Sequence, residues 1–447
     1  MAEQMMQHKA AKQTIPAGYK QTEVGVIPED WTVYDLPDVI WYQEGPGLRK
    51  WQFKPTGLKV INVTNLQDNG VLDLDKTERH ISWDEFEKTY KHFICDAGDL
   101  VIASSGNSYC KSSIVRACDL PLLMNTSVIR FKPINAFSKG YMDIYLRSQS
   151  FKNQIDLLIT GGAQPNFGPA HLNKIKIPAP TDKYEQTAIA NVLSDSDALI
   201  GTLEQLIAKK QAIKTATMQQ LLTGRTRLPQ FALRPDGTPK GYKSSELGKI
   251  PEDWGINSIN KVGSIITGST PPTAVDCYWD GDIPWITPTD IGDAKNIFES
   301  ERRITEKGLQ AIRGLPANSV LVTCIASIGK NAILKNAGAC NQQINAVVPT
   351  ALFDVDFLYY NIEFSKERLR QCAGITATPI ISKALFSDFL LPFPSNKEQT
   401  AIATILSDMD SELNALEQKL AKARDLKQGM MQQLLTGRIR LPLEVGV

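Results

Sequence analysis

The sequence predicts an α+β protein in which two similar mixed α/β domains are held apart by two long helices. These helices are expected to form an antiparallel coiled coil within a pseudo-twofold internal repeat. Residues 18–31 and 241–254 match at 10 of 14 positions, and residues 185–229 and 398–442 match at 27 of 45. The stretches between these paired blocks match poorly. The sequence therefore indicates a duplicated frame, formed by the paired blocks, that carries two different intervening segments.

The repeat divides the 447-residue chain into segments that recur in the same order. They are a flexible tail over 1–17, a lead-in segment over 18–36, a first variable domain over 37–181, a central helical spacer over 182–226, a linker with a second lead-in segment over 227–259, a second variable domain over 260–395, and a C-terminal helical spacer over 396–447. The linker is predicted to be irregular because it carries three prolines and a Pro-Asp-Gly turn signal.

Composition excludes several classes of protein. The chain has no run of about 18 apolar residues and no apolar stretch near its N-terminus, so neither a membrane span nor a secretory signal is predicted. Its seven cysteines lack a C-x-x-C spacing and its four histidines end at His171, which argues against a disulfide framework and a metal centre. A reducing, cytoplasmic location fits this pattern best.

Each variable domain shows the same faint order of predicted elements. A β-rich run ends in polar side chains, a second run leads into a polar turn, and a third run precedes a helical stretch (Tyr141 to Ser148, or Phe357 to Phe364). A loop and a short strand ending in prolines complete each domain. We therefore expect one mixed fold to be used twice.

The helical spacers show a narrow apolar stripe. In the second copy the spacing of Leu413, Leu416, Leu420, Ala423, Leu426 and Met430 is 3, 4, 3, 3, 4, and Ile200, Leu203, Ile207, Lys210, Ile213 and Thr217 repeat it. This pattern is typical of a coiled-coil seam. The residues predicted to lie in the seam or to contact a partner are Ile200, Leu203, Ile207, Ile213, Leu221, Leu413, Leu416, Leu420, Leu426, Met430 and Leu434.

The ends of these helices also have sequence signals. Ser194 and Ser407 are predicted N-caps, each preceded by a shorter helix over 185–193 or 398–406. Gly224 and Gly437 are predicted to stop the long helices because glycine adopts the left-handed conformation after a helix end.

The turns of the variable domains are rich in Asn, Gln, Ser and Thr, whose side chains match the donors and acceptors of base edges. The same residues are common turn formers, and that alternative stays open for each of them. The first domain's candidates for DNA contact are Asn62, Thr64, Asn65, Ser105, Asn107, Lys111, Gln164, Asn166 and Phe167. The second domain's candidates are Thr287, Thr289, Ser327, Lys330, Gln342, Thr376 and Thr378.

The repeated motifs Glu185-Gln-Thr-Ala-Ile-Ala190 and Met218-Gln-Gln-Leu-Leu-Thr-Gly-Arg225, with their copies at 398–403 and 431–438, resemble those of the specificity subunit of type I restriction–modification systems. The resemblance covers about 18–442. It implies that each variable domain is a target recognition domain that reads one half of a bipartite site in double-stranded DNA. It also implies that the helices set the spacer between the half-sites and dock two methyltransferase subunits, with two restriction subunits completing the full complex.

The chain itself is predicted not to be an enzyme. It lacks the Asn-Pro-Pro-Phe/Tyr and Asp-Pro-Pro-Tyr motifs of amino-methylating enzymes. The resemblance implies that S-adenosylmethionine, ATP and Mg²⁺ belong to the partner subunits, and no cofactor or metal is expected on this chain. Two alternatives remain: a specificity subunit of a system in which methyltransferase and nuclease are fused, and a coiled-coil adaptor that binds two proteins.

Charge sets a further expectation. Lys and Arg outnumber Asp and Glu by 17 to 14 over 37–181, a net charge of +3, whereas the counts over 260–395 are 12 and 13, a net charge of −1. Because phosphate neutralisation supplies most non-specific DNA affinity, the isolated chain is predicted to bind DNA weakly. Its methyltransferase partner is then expected to supply much of the phosphate contact.

Overall fold

The computed structural model of the chain describes residues 15–67, 70–75, 77–159, 165–373 and 379–442. The chain divides into two units, one formed by Met1–Thr202 with Leu420–Val447 and the other by Leu203–Lys419. Each unit contains one variable domain, and the mixture of sheets and helices in both confirms the α+β class. No helix within the described ranges combines the length and apolar character needed to cross a membrane.

The first unit begins with a hairpin and continues into the first variable domain. Its strands are β1 (Tyr19–Thr22), β2 (Gly25–Pro28), β3 (Trp31–Asp35), β4 (Ile40–Glu44), β5 (Leu58–Ile61), β6 (His80–Ile81), β7 (Leu100–Ala103), β8 (Ser112–Ile114), β9 (Leu122–Met124), β10 (Val128–Pro133) and β11 (Lys176–Pro180). Its helices are α1 (Leu36–Val39), α2 (Trp83–Glu85), α3 (Lys139–Leu146), α4 (Gln149–Leu158), α5 (Pro169–Leu172) and the first part of α6 (Lys183–Leu222).

The strands of the first variable domain form two main sheets. One is antiparallel with the order β4-β10-β7-β8, and the other has the order β6-β5-β9, in which β5 and β9 run parallel. The proline-ended strand β11 pairs with β3 alone. A two-stranded sheet tolerates Pro178 and Pro180 because one edge of each strand needs no ladder N–H.

The second unit repeats this plan. Its strands are β12 (Tyr242–Ser245), β13 (Gly248–Pro251), β14 (Gly255–Ser258), β15 (Gly263–Thr267), β16 (Trp279–Ile286), β17 (Asn296–Ile297), β18 (Arg303–Ile304), β19 (Ser319–Thr323), β20 (Asn331–Leu334), β21 (Ala339–Cys340), β22 (Ile344–Pro349) and β23 (Leu390–Phe393). Its helices are α7 (Pro229–Ala232), α8 (Ile259–Val262), α9 (Glu306–Gln310), α10 (Val355–Phe364), α11 (Lys366–Gln371), α12 (Lys383–Asp388) and the first part of α13 (Asn396–Leu434).

The sheets of the second variable domain correspond to those of the first. The larger sheet has the order β15-β22-β19-β20-β17, and the smaller has the order β18-β16-β21 with β16 and β21 parallel. The strand β23 pairs with β14, as β11 pairs with β3. The prediction that one mixed fold is used twice is therefore confirmed at the level of strand order.

The two long helices begin earlier than predicted. Each is continuous, over 40 residues in α6 and 39 in α13, and neither begins at Ser194 or Ser407. The α6 helix begins near Asp182, whose carboxylate accepts a hydrogen bond from the Tyr184 N–H at 2.9 Å. The predicted short helix and long helix are thus one element of about 60 Å in α6, at 1.5 Å per residue.

The helix portions inside each unit run antiparallel. In the second unit Lys210 Nζ lies 2.7 Å from Glu412 Oε1, and Lys214 pairs with Asp410. From the first pair to the second, the residue number increases along α6 and decreases along α13. The two helices therefore run in opposite directions. In the first unit Lys427 Nζ lies 2.5 Å from Asp197 Oδ1, and this pair is the repeat copy of Lys214 with Asp410.

The seam follows a stricter heptad spacing than the sequence suggested. The buried or half-buried positions recur at steps of 3, 4, 3, 4, 3, 4 and are Ile200, Leu203, Ile207, Lys210, Lys214, Thr217 and Leu221 in α6, and Leu413, Leu416, Leu420, Ala423, Lys427, Met430 and Leu434 in α13. Ile213 and Leu426 lie outside this seam, because they are 42% and 62% exposed, and a contact with a partner stays a prediction for both. Lys214 and Lys427 take their places by pairing with aspartates across the seam.

Both long helices end against a lead-in hairpin. Gly224 and Gly437 have φ of +68° and +66°, as predicted for residues after a helix end. A Cβ on Gly224 would collide with Pro251, and one on Gly437 would collide with Pro28. The C-terminal end of α13 therefore belongs to the first unit, where Leu434 joins the hydrophobic core.

Candidate nucleic-acid interface

In the first unit, three polar turns and one extended segment meet at one end of the two sheets. The first turn follows β5, the second follows β7, the third lies between β9 and β10, and the closing segment precedes α5. They comprise residues 62–65, 104–110, 125–127 and 165–167 respectively. The parallel pairing of β5 with β9 brings the first and third turns to the same edge.

Backbone hydrogen bonds join these turns. The Asn125 N–H donates to the Ile61 carbonyl at 2.9 Å, which fixes the third turn beside the first. The Ser104 N–H donates to the Ser127 carbonyl at 2.9 Å, and the Gly106 N–H donates to the Pro165 carbonyl at 3.0 Å. The second turn is thereby held between the third turn and the closing segment.

The second unit repeats all three bonds. Its first, second and third turns and its closing segment comprise residues 287–290, 324–330, 341–343 and 379–381. The Asn341 N–H donates to the Ile286 carbonyl at 2.9 Å, and the Cys324 N–H donates to the Gln343 carbonyl at 2.9 Å. The Ala326 N–H donates to the Pro379 carbonyl at 3.0 Å. The backbone frame is thus the same in both units although the side chains on it differ.

The structure places most of the first domain's candidate residues at this end of the sheets. Thr64, Asn107 and Asn166 are exposed, and Asn62, Ser105 and Lys111 are half-buried. Ser105 and Asn166 form a β-bridge between the second turn and the closing segment. Gln164 lies outside the described residues.

Two candidates in the first domain are corrected. Asn65 is 0% exposed: its Oδ1 accepts from the Asn62 N–H at 2.8 Å and its Nδ2 donates to the Asp73 carbonyl at 2.8 Å. Phe167 is 1% exposed and packs edge-to-face against Phe151. Both side chains stabilise the turns from inside, so neither presents its polar or apolar surface to DNA.

The second domain's candidates occupy the corresponding turns. Thr289, Lys330 and Gln342 are exposed, and Thr287 and Ser327 are half-buried. Thr287 Oγ1 donates to Asp290 Oδ2 at 2.6 Å and lies 2.7 Å from Thr289 Oγ1, so the first turn presents a linked pair of hydroxyls. Thr376 and Thr378 lie outside the described residues.

Sequence reasoning missed three residues at this interface. Arg79 and Asn125 both donate to Asn62 Oδ1, at 3.1 and 2.8 Å, and Asp290 accepts from the Thr287 N–H at 2.7 Å. The sequence did contain a signal for Asn125, because the β-rich segment that starts at Asn125 corresponds in the repeat to the segment that starts at Asn341. Arg79 had none, since it reaches the turn only through the pairing of β6 with β5.

A cavity of about 380 Å³ opens at the first and third turns of the first unit. The residues that line it are Asn62, Val63, Thr64, Thr77, Glu78, Arg79, Asn125 and Ser127, all but one of them of polar type. The first turn also contacts the 3₁₀ turn at Gly106–Ser108. The cavity therefore belongs to the same surface as the second turn.

Each unit also contains an ionic clamp, formed by one arginine and two carboxylates, and the two clamps are equivalent in the repeat. In the second unit Arg227 donates to Glu398 Oε1 and to Asp253 Oδ1, both at 2.8 Å. In the first unit Arg440 donates to Glu185 Oε2 at 2.6 Å and to Asp30 Oδ1 at 3.0 Å. Each clamp ties the residues after one long helix to the start of the other and to a lead-in segment.

These clamps shift the pKa of their outer carboxylates. Burial raises the pKa of Asp253, but hydrogen bonds from Arg227 and Lys240 outweigh burial and lower it to about 2. The hydrogen bond from Arg440 lowers the pKa of Asp30 in the same way. Both carboxylates are therefore charged throughout the physiological range.

Within the described ranges, no group of three or more His, Cys, Asp or Glu side chains is arranged to hold a metal ion. The polar turns instead offer amides, hydroxyls and a few cationic groups on a hydrogen-bonded backbone frame. Two such surfaces on one duplicated frame, with different side chains, define a two-part recognition protein.

Comparison with known proteins identifies the family. The family described as "Type I restriction modification DNA specificity domain" matches residues 28–214 and 251–423, and the chain belongs to it. The chain is 25% identical over 433 residues to a putative type I restriction enzyme MjaX specificity subunit of Methanocaldococcus jannaschii, covering 95% of this chain and 97% of that protein.

One further relative and one solved structure are also similar to the chain. The chain is 37% identical over 175 residues to the type I restriction enzyme MjaIX specificity subunit of the same organism, and the match spans 38% of this chain and 40% of that protein. The solved type I restriction–modification S subunit from M. genitalium has a TM-score of 0.55 at 15% identity, covering 90% of this chain and 96% of that one. At that identity the likeness supports the fold alone.

Proposed function

We propose that this chain is the DNA sequence-specificity subunit of a type I restriction–modification complex and is not an enzyme by itself. Each variable domain reads one half of a bipartite site in double-stranded DNA. One observation carries the proposal: three backbone hydrogen bonds are identical in the two units, whereas the side chains that those bonds position differ. A DNA target with two different halves requires two equivalent backbone scaffolds that carry different base-contacting side chains.

In the proposed complex the partner subunits carry out methylation and cleavage, and this chain recognises the DNA sequence. Phosphate contacts position a protein on DNA and base contacts specify the sequence, so a subunit that only reads needs no catalytic group. Two methyltransferase subunits dock on the helices, supply S-adenosylmethionine and flip the target base. Two restriction subunits, with ATP and Mg²⁺, complete the complex, which acts in the cytoplasm.

The helices offer a surface for such partners. Leu206 and Ile213 on α6 are 37% and 42% exposed, and they lie seven residues apart, each directly before a seam residue. Apolar residues at this spacing cover one side of a helix. This side of α6 is where we place part of the methyltransferase contact.

The test of the proposed function is to express the chain with its methyltransferase partner and map methylated adenines across a genome. We expect one bipartite motif with two defined halves separated by a fixed spacer. Replacing residues 260–395 with the corresponding domain of another family member serves as the matched variant, and it should change one half of the motif only. Methylation without sequence preference, or a motif that changes in both halves, would contradict the proposal.

A further inference from the structure

We propose that Asn62 and Arg79 of the first variable domain read a G·C base pair, with the guanine edge facing both side chains. The inference rests on the proposed function, which it deepens by naming a base pair for one half-site. It follows from the fixed orientation of one amide and one guanidinium whose residues line the same cavity.

The amide of Asn62 has a defined orientation. Its Oδ1 accepts hydrogen bonds from Arg79 Nη1 at 3.1 Å and from Asn125 Nδ2 at 2.8 Å. Because both neighbours are donors, the oxygen must face them and the Nδ2 group must face away. Within the described part of the chain, Nδ2 donates to no other group, so Asn62 presents two N–H donors.

Asn125 is itself held in place. Its Oδ1 accepts from the Thr126 N–H at 2.9 Å, which orients its Nδ2 toward Asn62. The backbone N–H of Asn125 is bonded to Ile61 at the end of β5. Asn125 therefore acts as a positioning residue that fixes the Asn62 amide from the third turn.

The guanidinium of Arg79 is exposed but also held. Its Cζ lies 5.2 Å from the centroid of the Phe53 ring, and the hydrogen bond to Asn62 uses one N–H of Nη1. The remaining N–H groups of Arg79 and the two N–H groups of the Asn62 amide together form what we call the donor row. A planar donor fork of this kind matches the O6 and N7 acceptors of guanine, which is the commonest specific contact in the major groove.

The cavity composition argues against a simple phosphate contact. Glu78 lines the same cavity as Arg79 and Asn62. A carboxylate there repels a phosphate but can accept a hydrogen bond from the N4 amino group of cytosine. Donors beside an acceptor thus complement both members of a G·C pair.

The second domain lacks this arrangement. Thr287 occupies the position that Asn62 has in the first domain, because both residues donate their backbone N–H to the side chain three residues later. The Thr287 N–H donates to Asp290 at 2.7 Å, and the Asn62 N–H donates to Asn65 at 2.8 Å. The Thr287 hydroxyl is committed to Asp290, so this turn presents no fixed amide donors. The donor row is a property of the first domain, and its effect is confined to one half-site.

The experiment uses the full chain in complex with its methyltransferase and a library of sites randomised at every position. Arg79→Lys keeps the positive charge but loses the planar fork. Asn62→Asp keeps an oxygen for both Arg79 and Asn125 but replaces the two donors with an acceptor. Asn153→Asp makes the same chemical change at an exposed position of α4 and serves as the control.

We expect the wild-type complex to require G·C at one position of one half-site. Arg79→Lys and Asn62→Asp should each lower the preference for that pair about fivefold or more, since a good bidentate contact discriminates by at least about this factor. The other half-site should stay unchanged, which also shows that the variants fold and assemble. Asn153→Asp should retain the full wild-type preference.

The failures are distinguishable. A wild-type complex with no sequence preference would overturn the proposed function itself. The wild-type complex could be specific while the variants lose the same fraction of methylation on every sequence. That result would show that Arg79 contacts phosphate and would overturn the inference. Variants that keep the wild-type preference at every position would overturn it as well.

Discussion

At the scale of single residues, buried charge explains how the frame is held. The carboxylate of Glu398 is 2% exposed and that of Glu185 is 3% exposed, so each depends on its arginine for compensation. The two arginines differ in their surroundings: Arg227 is 7% exposed and Arg440 is 38% exposed. The two clamps are equivalent in connectivity but unequal in burial.

Arg227→Ala should strongly destabilise the second unit. Removing one partner of a buried ion pair leaves the other charge without compensation, and the cost is about 3–5 kcal/mol. Arg440→Ala should cost less, because solvent reaches that clamp. Urea unfolding monitored by circular dichroism measures both free energies, and a cost for Arg440→Ala that equals or exceeds that of Arg227→Ala would refute the comparison.

Acid should weaken both clamps. A carboxylate whose folded-state pKa is lowered contributes stability that is complete above its unfolded value and is lost as pH falls toward the folded value. For Asp253 this window runs from the ordinary value of 3.8 down to about 2. Thermal melting at a series of pH values should therefore show a decline over this window, and Asp253→Asn should flatten it; an unchanged slope would count against the assignment.

At the scale of elements, the helical seam shows how ion pairs adjust an apolar pattern. Both apolar residues that the sequence predicted as the fifth position of the seam, Ile213 and Leu426, are exposed to solvent. The half-buried lysines at 214 and 427 continue the heptad instead, each paired with an aspartate. Their aliphatic stems pack along the seam while the ammonium groups reach the carboxylates.

Ile207 and Ile213 provide a matched test of this register. They are the same residue type on the same helix, but Ile207 is half-buried in the seam and Ile213 is 42% exposed. Ile207→Ala should cost about 1–2 kcal/mol, roughly half the loss at a fully buried site, and Ile213→Ala about 0.5 kcal/mol or less. Equal costs in chemical denaturation would favour the spacing read from the sequence.

At the scale of the whole molecule, the first unit is assembled from two distant parts of the chain, whereas the second is one continuous stretch. Leu434 and Leu435 are 3% and 2% exposed within the core that contains Trp31. Leu221 and Leu222 occupy the corresponding place beside Trp254 in the second unit. The N-terminal domain thus depends on residues near the C-terminus for part of its core.

Deleting residues 420–447 should destabilise the first unit while leaving the second intact. The deletion removes Leu434 and Leu435 from the first core and Arg440 from its clamp. Hydrogen exchange followed by mass spectrometry should show faster exchange in β3, α3 and β11 than in the full-length chain. Equal protection of these elements in both proteins, or faster exchange confined to the second unit, would contradict this expectation.

Much of this architecture was readable from residue patterns alone. The duplicated frame, the predicted helices near Tyr141 and Phe357, the proline-ended strands and the glycines that end the long helices were all predicted correctly. These features depend on local geometry: helical periodicity, the conformation of proline, and the left-handed backbone after a helix end. Local signals of this kind repeat whenever the sequence repeats.

The sequence by itself determined that two copies of one scaffold carry two different sets of polar turns. Only the tertiary structure decided which side chains face outward: Asn65 and Phe167 turn inward, Ile213 and Leu426 turn outward, and Arg79 reaches Asn62 across two paired strands. The physical reason is that burial and hydrogen-bond partners depend on contacts between distant segments, and a pattern of residue types along the chain does not contain those contacts.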